Sequence, residues 1–261
     1  MRTPFGRQLR AWRQSRRMSQ LELAHRSGVA PRHLSFLETG RSRPGEGVIL
    51  RLGDAMGLPL REQNDLLRSA GFDPVYPEGG LDDPELSEVA AVVRQLLADH
   101  APLPAFVMDA QWQLIEANGP AAALFLQGQT PPVSTVDLFI SPFFRSIITN
   151  WEELAQATAA RIRHDLAERP SPMLQRDLAK LEALVHDVDM AVGPSPVVIV
   201  SLQLGDLTAR VLTTVCRFTS PRSVAADDLV VELAFPADAA SREVLLGLGL
   251  TDALPQPAKA D

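Results

Sequence analysis

The sequence is short of nearly everything that marks an enzyme or a secreted scaffold. Its 261 residues hold a single cysteine, Cys216, which excludes an internal disulfide and a thiolate metal cluster and suits a reducing compartment. That cysteine falls in a predicted strand and is expected to be a buried, inert thiol. No Walker loop, dinucleotide fingerprint, nucleophile elbow or paired-histidine ligand spacing occurs. The five histidines, His25, His33, His100, His164 and His186, are scattered. His186-Asp187-Val188-Asp189 is the nearest approach to a metal-binding run, and it reads as a solvated helix end. The expectation is therefore no enzyme, no catalytic residue, no metal and no cofactor. Long hydrophobic runs are missing too. Residues 197–200, with Leu202 and Leu204 beyond, fall far short of the ~20 apolar residues a membrane helix needs, so no membrane partner is expected. The first 17 residues are basic but lack an apolar segment, so they do not read as a signal peptide, and the chain reads as cytoplasmic.

What is present is divided unevenly. Residues 1–74 carry 13 Arg, no Lys and 7 acidic residues, a net +6, whereas the remainder carries 12 basic and 25 acidic residues, a net −13. A basic head on an acidic body predicts that only the first part meets a polyanion. The length allows two domains. The turn-rich run DPVYPEGG marks their boundary, giving a first domain at 1–74, a linker at 75–82, a second domain at 83–250 and a disordered tail at 251–261.

The head reads as five short helices. Phe5, Leu9 and Trp12 share one face of the first. Ser19 followed by Glu22 is a capping box that starts the second, and Gly28 supplies the turn after it. Pro31 opens the third, Leu34 and Leu37 are its buried face, and Gly40 ends it. A fourth carries Ile49, Leu52 and Met56, and a fifth runs from about Arg61 to Ala70. Together these features resemble the Xre/Cro-type helix-turn-helix family: Ser19-Gln20 with Leu23-Ala24, the turn Gly28-Val29, Leu34-Ser35 with Leu37-Glu38 and Gly40, and Pro44.

The resemblance implies a DNA-binding domain whose third helix enters the major groove of double-stranded DNA. Gln20, at the start of the second helix, would bind a phosphate together with free backbone N–H groups. Pro31, Arg32, His33, Ser35 and Phe36 occupy the start and outer face of the recognition helix. Arg32 is the base-reading candidate, because a guanidinium pairs bidentately with guanine. Arg41 and Arg43 are the phosphate clamps. Arg13 and Glu38 match a structural ion pair of the family. Two departures stand out. Ala30 sits where a polar N-cap is usual, a loss of about 1 kcal/mol. Phe36 is apolar where the family presents a polar side chain, and could meet a thymine methyl, pack on a neighbouring helix or simply be tolerated.

The body opens with a helix capped by Asp83, with Pro84 at its first position. A hairpin over residues 105–118 follows, turning near Ala110-Gln111 and closing on Asn118 as a helix cap. Asn150 and Glu153 form a capping-box variant ahead of one helical stripe, Trp151, Leu154, Thr158 and Ile162; a second runs through Leu174, Leu178, Leu181 and Val185. Three strands close the domain, two joined by a Gly205-Asp206 hairpin turn, and in the last Leu229, Val231, Leu233 and Phe235 alternate against Val230, Glu232 and Ala234. Asp238 caps a final short helix. The fold class expected is an all-α helix-turn-helix domain followed by an α+β, PAS-like domain with a mostly antiparallel five-stranded sheet.

Residues 106–125, 150–166, 212–221 and 232–238 extend the resemblance to the whole chain: it is similar to the MmyB-like regulators, in which an Xre-type DNA-binding domain is joined to a PAS-like ligand-binding domain. The implied function is a transcriptional regulator sensing a small, largely apolar molecule, with fatty acids or related acyl compounds as the class, and acting as a homodimer on paired half-sites. The stretch 186–196 departs from the family in lacking an aromatic-rich basic segment. Phe106, Met108, Trp112, Leu114, Phe125, Trp151, Leu202, Leu212, Thr214 and Phe218 are the expected ligand-binding residues; Arg161 or Arg163 could bind a carboxylate head group, but both read first as solvated helix face. The competing function is an antitoxin-like or adaptor protein whose second domain grips another protein. An apolar cavity separates the first from the second, which calls for an exposed apolar groove.

Overall fold

The computed structural model describes residues 3–185, 197–219 and 221–247. The 186–196 stretch and the tail at 251–261 lie outside the described residues. The chain divides into two units, one comprising residues 1–87 with 218–227 and the other residues 88–217 with 228–261.

The first unit holds helices α1 (Pro4–Ser15), α2 (Gln20–Ser27), α3 (Pro31–Thr39), α4 (Glu46–Ala55) and α5 (Leu60–Ala70). Phe5, Leu9, Leu23, Leu34, Leu37, Ile49, Leu52, Leu66 and Leu67 form its core, drawn from one face of every helix. Ser19 accepts a hydrogen bond from the Glu22 N–H at 3.0 Å. The reciprocal half of the box is missing, because the Glu22 carboxylate takes Arg26 at 2.7 Å instead. Gly28 and Gly40 end α2 and α3 in the left-handed region, with φ of 67° and 76°. Ala30 offers no side-chain cap, and Pro31 follows at the first helical position. Gly6 lets α1 lie on the end of α3: a Cβ there would stand 2.6 Å from the Leu37 carbonyl oxygen. Trp12 is only half-buried. The Arg16 guanidinium lies 5.7 Å from its ring centroid, and Arg13 rather than Trp12 completes the buried stripe of α1.

The stretch read as a linker is instead part of this unit. Asn64, fully buried on α5, accepts from the N–H groups of Val75 and Tyr76 at 3.1 Å each and donates to Tyr76 O and Glu78 Oε1 at 2.8 Å each. Every hydrogen-bonding site of that amide is thereby used, so the turn-rich run is tied down. Residues 218–227 join the unit from far along the chain. Val224, fully buried, donates its N–H to Pro77 O at 2.8 Å. Asp227 accepts the Leu60 N–H at 3.0 Å, capping α5, whose own N-cap residue is a proline.

The second unit is an α+β domain around one antiparallel sheet. Its elements are α6 (Ser87–His100), β1 (Ala105–Met108), β2 (Gln113–Ala117), α7 (Gly119–Ala121), β3 (Val133–Ser134), α8 (Thr135–Phe139), α9 (Pro142–Ile147), α10 (Trp151–Glu168), α11 (Pro172–Glu182), β4 (Val200–Leu204), β5 (Leu207–Cys216), α12 (Val224–Asp228), which straddles the division, β6 (Val230–Pro236) and α13 (Ala239–Gly247). The strand order is β3-β2-β1-β6-β5-β4, six strands and not five. The missed strand, β3, has two residues, too few to carry an alternation.

Asn118 caps α7 through the Ala121 N–H at 3.0 Å, takes the Ala105 N–H at 3.0 Å, and donates to Leu97 O and Leu103 O. Asn150 departs from its expected capping role. Its Oδ1 accepts the Ser201 N–H at 2.9 Å and its Nδ2 donates to Ile199 O and Glu153, so it pins the start of β4. Cys216 is exposed, not buried: β5 outruns its neighbour, since β4 pairs only as far as Val211.

Candidate DNA interface and ligand cavity

In the first unit, Pro31, Arg32, Arg41 and Arg43 are exposed, and Gln20, His33, Ser35 and Phe36 are half-buried. They occupy the starts of α2 and α3, the outer face of α3 and the loop after it. Arg32 and Phe36 are one helical turn apart, and the guanidinium lies 5.3 Å from the ring centroid. Phe36 thus meets Arg32 of its own helix.

Arg13 and Glu38 lie together beneath this surface. Arg13 donates through Nε to Glu38 Oε1 at 2.6 Å and through Nη2 to Oε2 at 3.1 Å, a bidentate pair, while its Nη1 reaches Met18 O at 2.7 Å. Gln20 joins them, its amide donating to Glu38 Oε2 at 2.8 Å. One N–H of the Gln20 amide is thus committed inward, which leaves its second N–H and the backbone N–H groups at the start of α2 for a phosphate.

In the second unit, one face of the sheet and the helices over it line a partly open cavity of about 180 Å³. That exceeds the ~150 Å³ of an apolar cavity able to hold a benzene-sized molecule. The sheet supplies Phe106, Met108, Leu114, Val200, Leu202, Val211, Thr213, Glu232 and Ala234; the helical side includes Leu124, Phe125, Phe144, Leu154, Thr158 and Arg161. Leu124 and Phe125 sit on a π-helical turn, residues 122–126, that breaks the helix begun at Asn118. Phe125 stacks on Phe144 at 5.2 Å and meets Phe106 edge-on at 5.5 Å.

Trp112 stands in the cavity wall with φ 60°, a left-handed conformation rare for a bulky residue. Asp109 creates the turn, its Oδ1 accepting the N–H groups of Gln111 and Gln113 at 2.8 and 2.9 Å. The indole N–H donates to Asp165 Oδ2 at 2.9 Å, and the Arg161 guanidinium lies 4.8 Å from the ring centroid. Arg161 also pairs with Glu232, Nη1 to Oε2 at 3.2 Å. Arg161 is therefore a wall residue and not the solvated helix face expected of it; Arg163 does lie outside, paired with Glu182.

Six of the ten expected ligand-binding residues line the cavity: Phe106, Met108, Trp112, Leu114, Phe125 and Leu202. Trp151 is core, stacked on Phe139 at 5.5 Å with its indole N–H on Phe139 O. Leu212 and Thr214 point to the other face of β5, because the register with β6 turns Val211 and Thr213 inward. Phe218 belongs to the first unit. The same parity puts Glu232 inside, although the alternation of Val231, Leu233 and Phe235 marks Glu232 as outward. The other face of β6 is also partly covered: Val231 is buried and Leu233 half-buried there, while the exposed Phe235 meets the His100 ring edge-on at 4.9 Å, and apolar alternation then does not tell inside from outside.

Among the described residues, no group of three or more His, Cys, Asp or Glu is placed to hold a metal ion. No helix among them is long and apolar enough to cross a membrane.

Comparison with known proteins matches both units to families. Residues 89–248 match the MmyB-like transcription regulator ligand binding domain, and residues 4–66 match a helix-turn-helix domain. A stretch of 53 residues is 42% identical to an uncharacterized HTH-type transcriptional regulator, y4dL, of Sinorhizobium fredii, and covers 20% of this chain and 27% of that relative. The chain thus aligns with about a quarter of that protein's length.

Proposed function

Because the chain belongs to the family of MmyB-like transcription regulators, with a helix-turn-helix domain and a ligand-binding domain, we propose that it senses a fatty acid or related acyl compound. The observation that carries this reading is the cavity: about 180 Å³, walled by aliphatic and aromatic side chains, with a single ion pair in its lining. A cavity of that kind favours a small-molecule sensor over an adaptor, whose partner protein needs an exposed apolar surface.

At the DNA, Arg32 reads a base edge, steadied by Phe36. Pro31, His33 and Ser35 fill the surface around it, and Arg41 and Arg43 clamp phosphates. Arg13, Glu38 and Gln20 hold α1, α2 and α3 in the arrangement this requires. One such module makes few base contacts, so the protein acts as a homodimer on paired half-sites. Ligand acts by binding one DNA-competent state better than another. A covalent route for that effect exists: β5 and β6 give Val211, Thr213, Glu232 and Ala234 to the cavity, and the chain between them contributes Asp227, the cap of α5.

The test is native mass spectrometry of the purified protein, followed by DNA-binding titrations before and after extraction with organic solvent. A retained acyl compound whose removal changes DNA affinity supports the reading. A protein that carries nothing, takes up no acyl compound when offered a panel, and binds DNA identically throughout is not a sensor of this kind.

A further inference from the structure

Resting on the reading of the cavity as an acyl-ligand site, we propose that its ligand is an uncharged amphiphile, an acyl chain ending in an ester, amide or lactone carbonyl, and not a free carboxylate.

The polar end of the cavity decides this. Among the described residues, two charged ones line it, Arg161 and Glu232, and they already neutralise each other, with Nη1 and Oε2 3.2 Å apart. Glu232 is only 14% exposed and Arg161 36%. Arg161 is held from a second side, its guanidinium 4.8 Å from the centroid of Trp112, whose own indole N–H is fixed by Asp165 at 2.9 Å. The Arg161 guanidinium thus has a carboxylate on it and another beyond the indole that it covers.

A free fatty acid would bring a further carboxylate to this one cation. At this pair it must either sit beside Glu232, a like charge, or displace Glu232 and leave that carboxylate without its partner. A carbonyl oxygen meets neither obstacle. A guanidinium has five N–H donors, and the contact with Glu232 occupies one, so an ester or amide oxygen can accept another without disturbing the pair. An amide N–H or a hydroxyl on the ligand could in turn donate to the free lone pairs of Glu232. Thr158, one turn before Arg161 on α10, and Thr213, opposite Ala234 on β5, add hydroxyls in the same lining. The chain then runs along Phe106, Phe125 and Leu202.

The probes are octanoate and methyl octanoate, which share a chain and differ in charge. Each is titrated into the full-length protein at neutral pH, with tryptophan fluorescence as the signal because Trp112 is in the wall. The ester is expected to bind at least about tenfold more tightly, a difference of about 1.4 kcal/mol. Glu232→Gln keeps the shape and removes the charge, so octanoate should gain about tenfold while the ester changes by less than about threefold. Equal or tighter binding of octanoate by the unaltered protein overturns the proposal, and this comparison does not depend on the variant folding. An unchanged ratio in a folded Glu232→Gln protein overturns it as well. Binding of neither probe, nor of shorter and longer methyl esters, sinks the acyl-ligand reading itself and the head-group inference with it.

Discussion

Removing the Glu38 carboxylate tests how the helix-turn-helix is held in shape. Glu38 is 2% exposed and accepts three hydrogen bonds, from Arg13 Nε at 2.6 Å, Arg13 Nη2 at 3.1 Å and Gln20 Nε2 at 2.8 Å. Arg13 is itself 9% exposed, so Glu38→Ala strands a guanidinium that cannot turn to water. Breaking a buried pair from one side costs about 3–5 kcal/mol, whereas replacing both partners by apolar groups is often neutral. A domain holds only about 5–15 kcal/mol in all. At about 4–8 °C per kcal/mol for a unit of this size, Glu38→Ala should lower its melting temperature by at least about 12 °C. Arg13→Met with Glu38→Leu should recover most of that loss, because the desolvation penalty leaves together with the attraction. Urea denaturation of the full chain, followed by helical circular dichroism for Arg13→Met, Glu38→Leu and the double, gives the coupling energy directly. A cost below about 1 kcal/mol for Glu38→Ala, or a double variant no better than the single, would refute the reasoning.

Other outcomes follow from the same geometry. Arg32→Ala should weaken specific binding by about 1–3 kcal/mol and relax preference at one base pair, read by titration against a library of site variants; unchanged preference would remove Arg32 as the reader. Arg41→Ala should weaken all sequences alike and reduce the slope of log affinity against log salt by about one unit. Gly6→Ala puts a Cβ 2.6 Å from the Leu37 carbonyl oxygen, so α1 must leave α3, and thermal denaturation should register a loss of about 1–3 kcal/mol. Glu78 is held below its ordinary value of 4.5 by the Arg68 guanidinium, with the Asn64 amide adding to the effect. A depressed carboxylate contributes stability that is complete above its ordinary value and is lost as pH falls through its folded value. Glu78→Gln should therefore lessen the acid sensitivity of the first unit in a pH series of melts.

The head was legible in the sequence because its signals are local. A serine cap at Ser19, glycines at Gly28 and Gly40 and a proline at Pro31 each act within a turn of where they stand, and leucines every third or fourth residue fix the buried faces. Even the Arg13–Glu38 pair was implied beforehand, by the resemblance to the helix-turn-helix family. The body was less legible. Trp151 and Trp112 are both aromatic residues in helical or hairpin context, and only packing makes one core and the other cavity wall.

By itself, then, the sequence determined a basic helical head with a reading helix, an acidic α+β body, and the family to which both belong, because helix periodicity, caps and charge are written along the chain. Tertiary structure alone decided which residues line the cavity. Strand parity turned Val211, Thr213 and Glu232 inward in place of Leu212 and Thr214, and brought Glu232 to Arg161, 71 positions away in sequence. Register is set between strands, by hydrogen bonds to a partner that no single segment encodes, and a slip of one residue exchanges the two faces of a sheet.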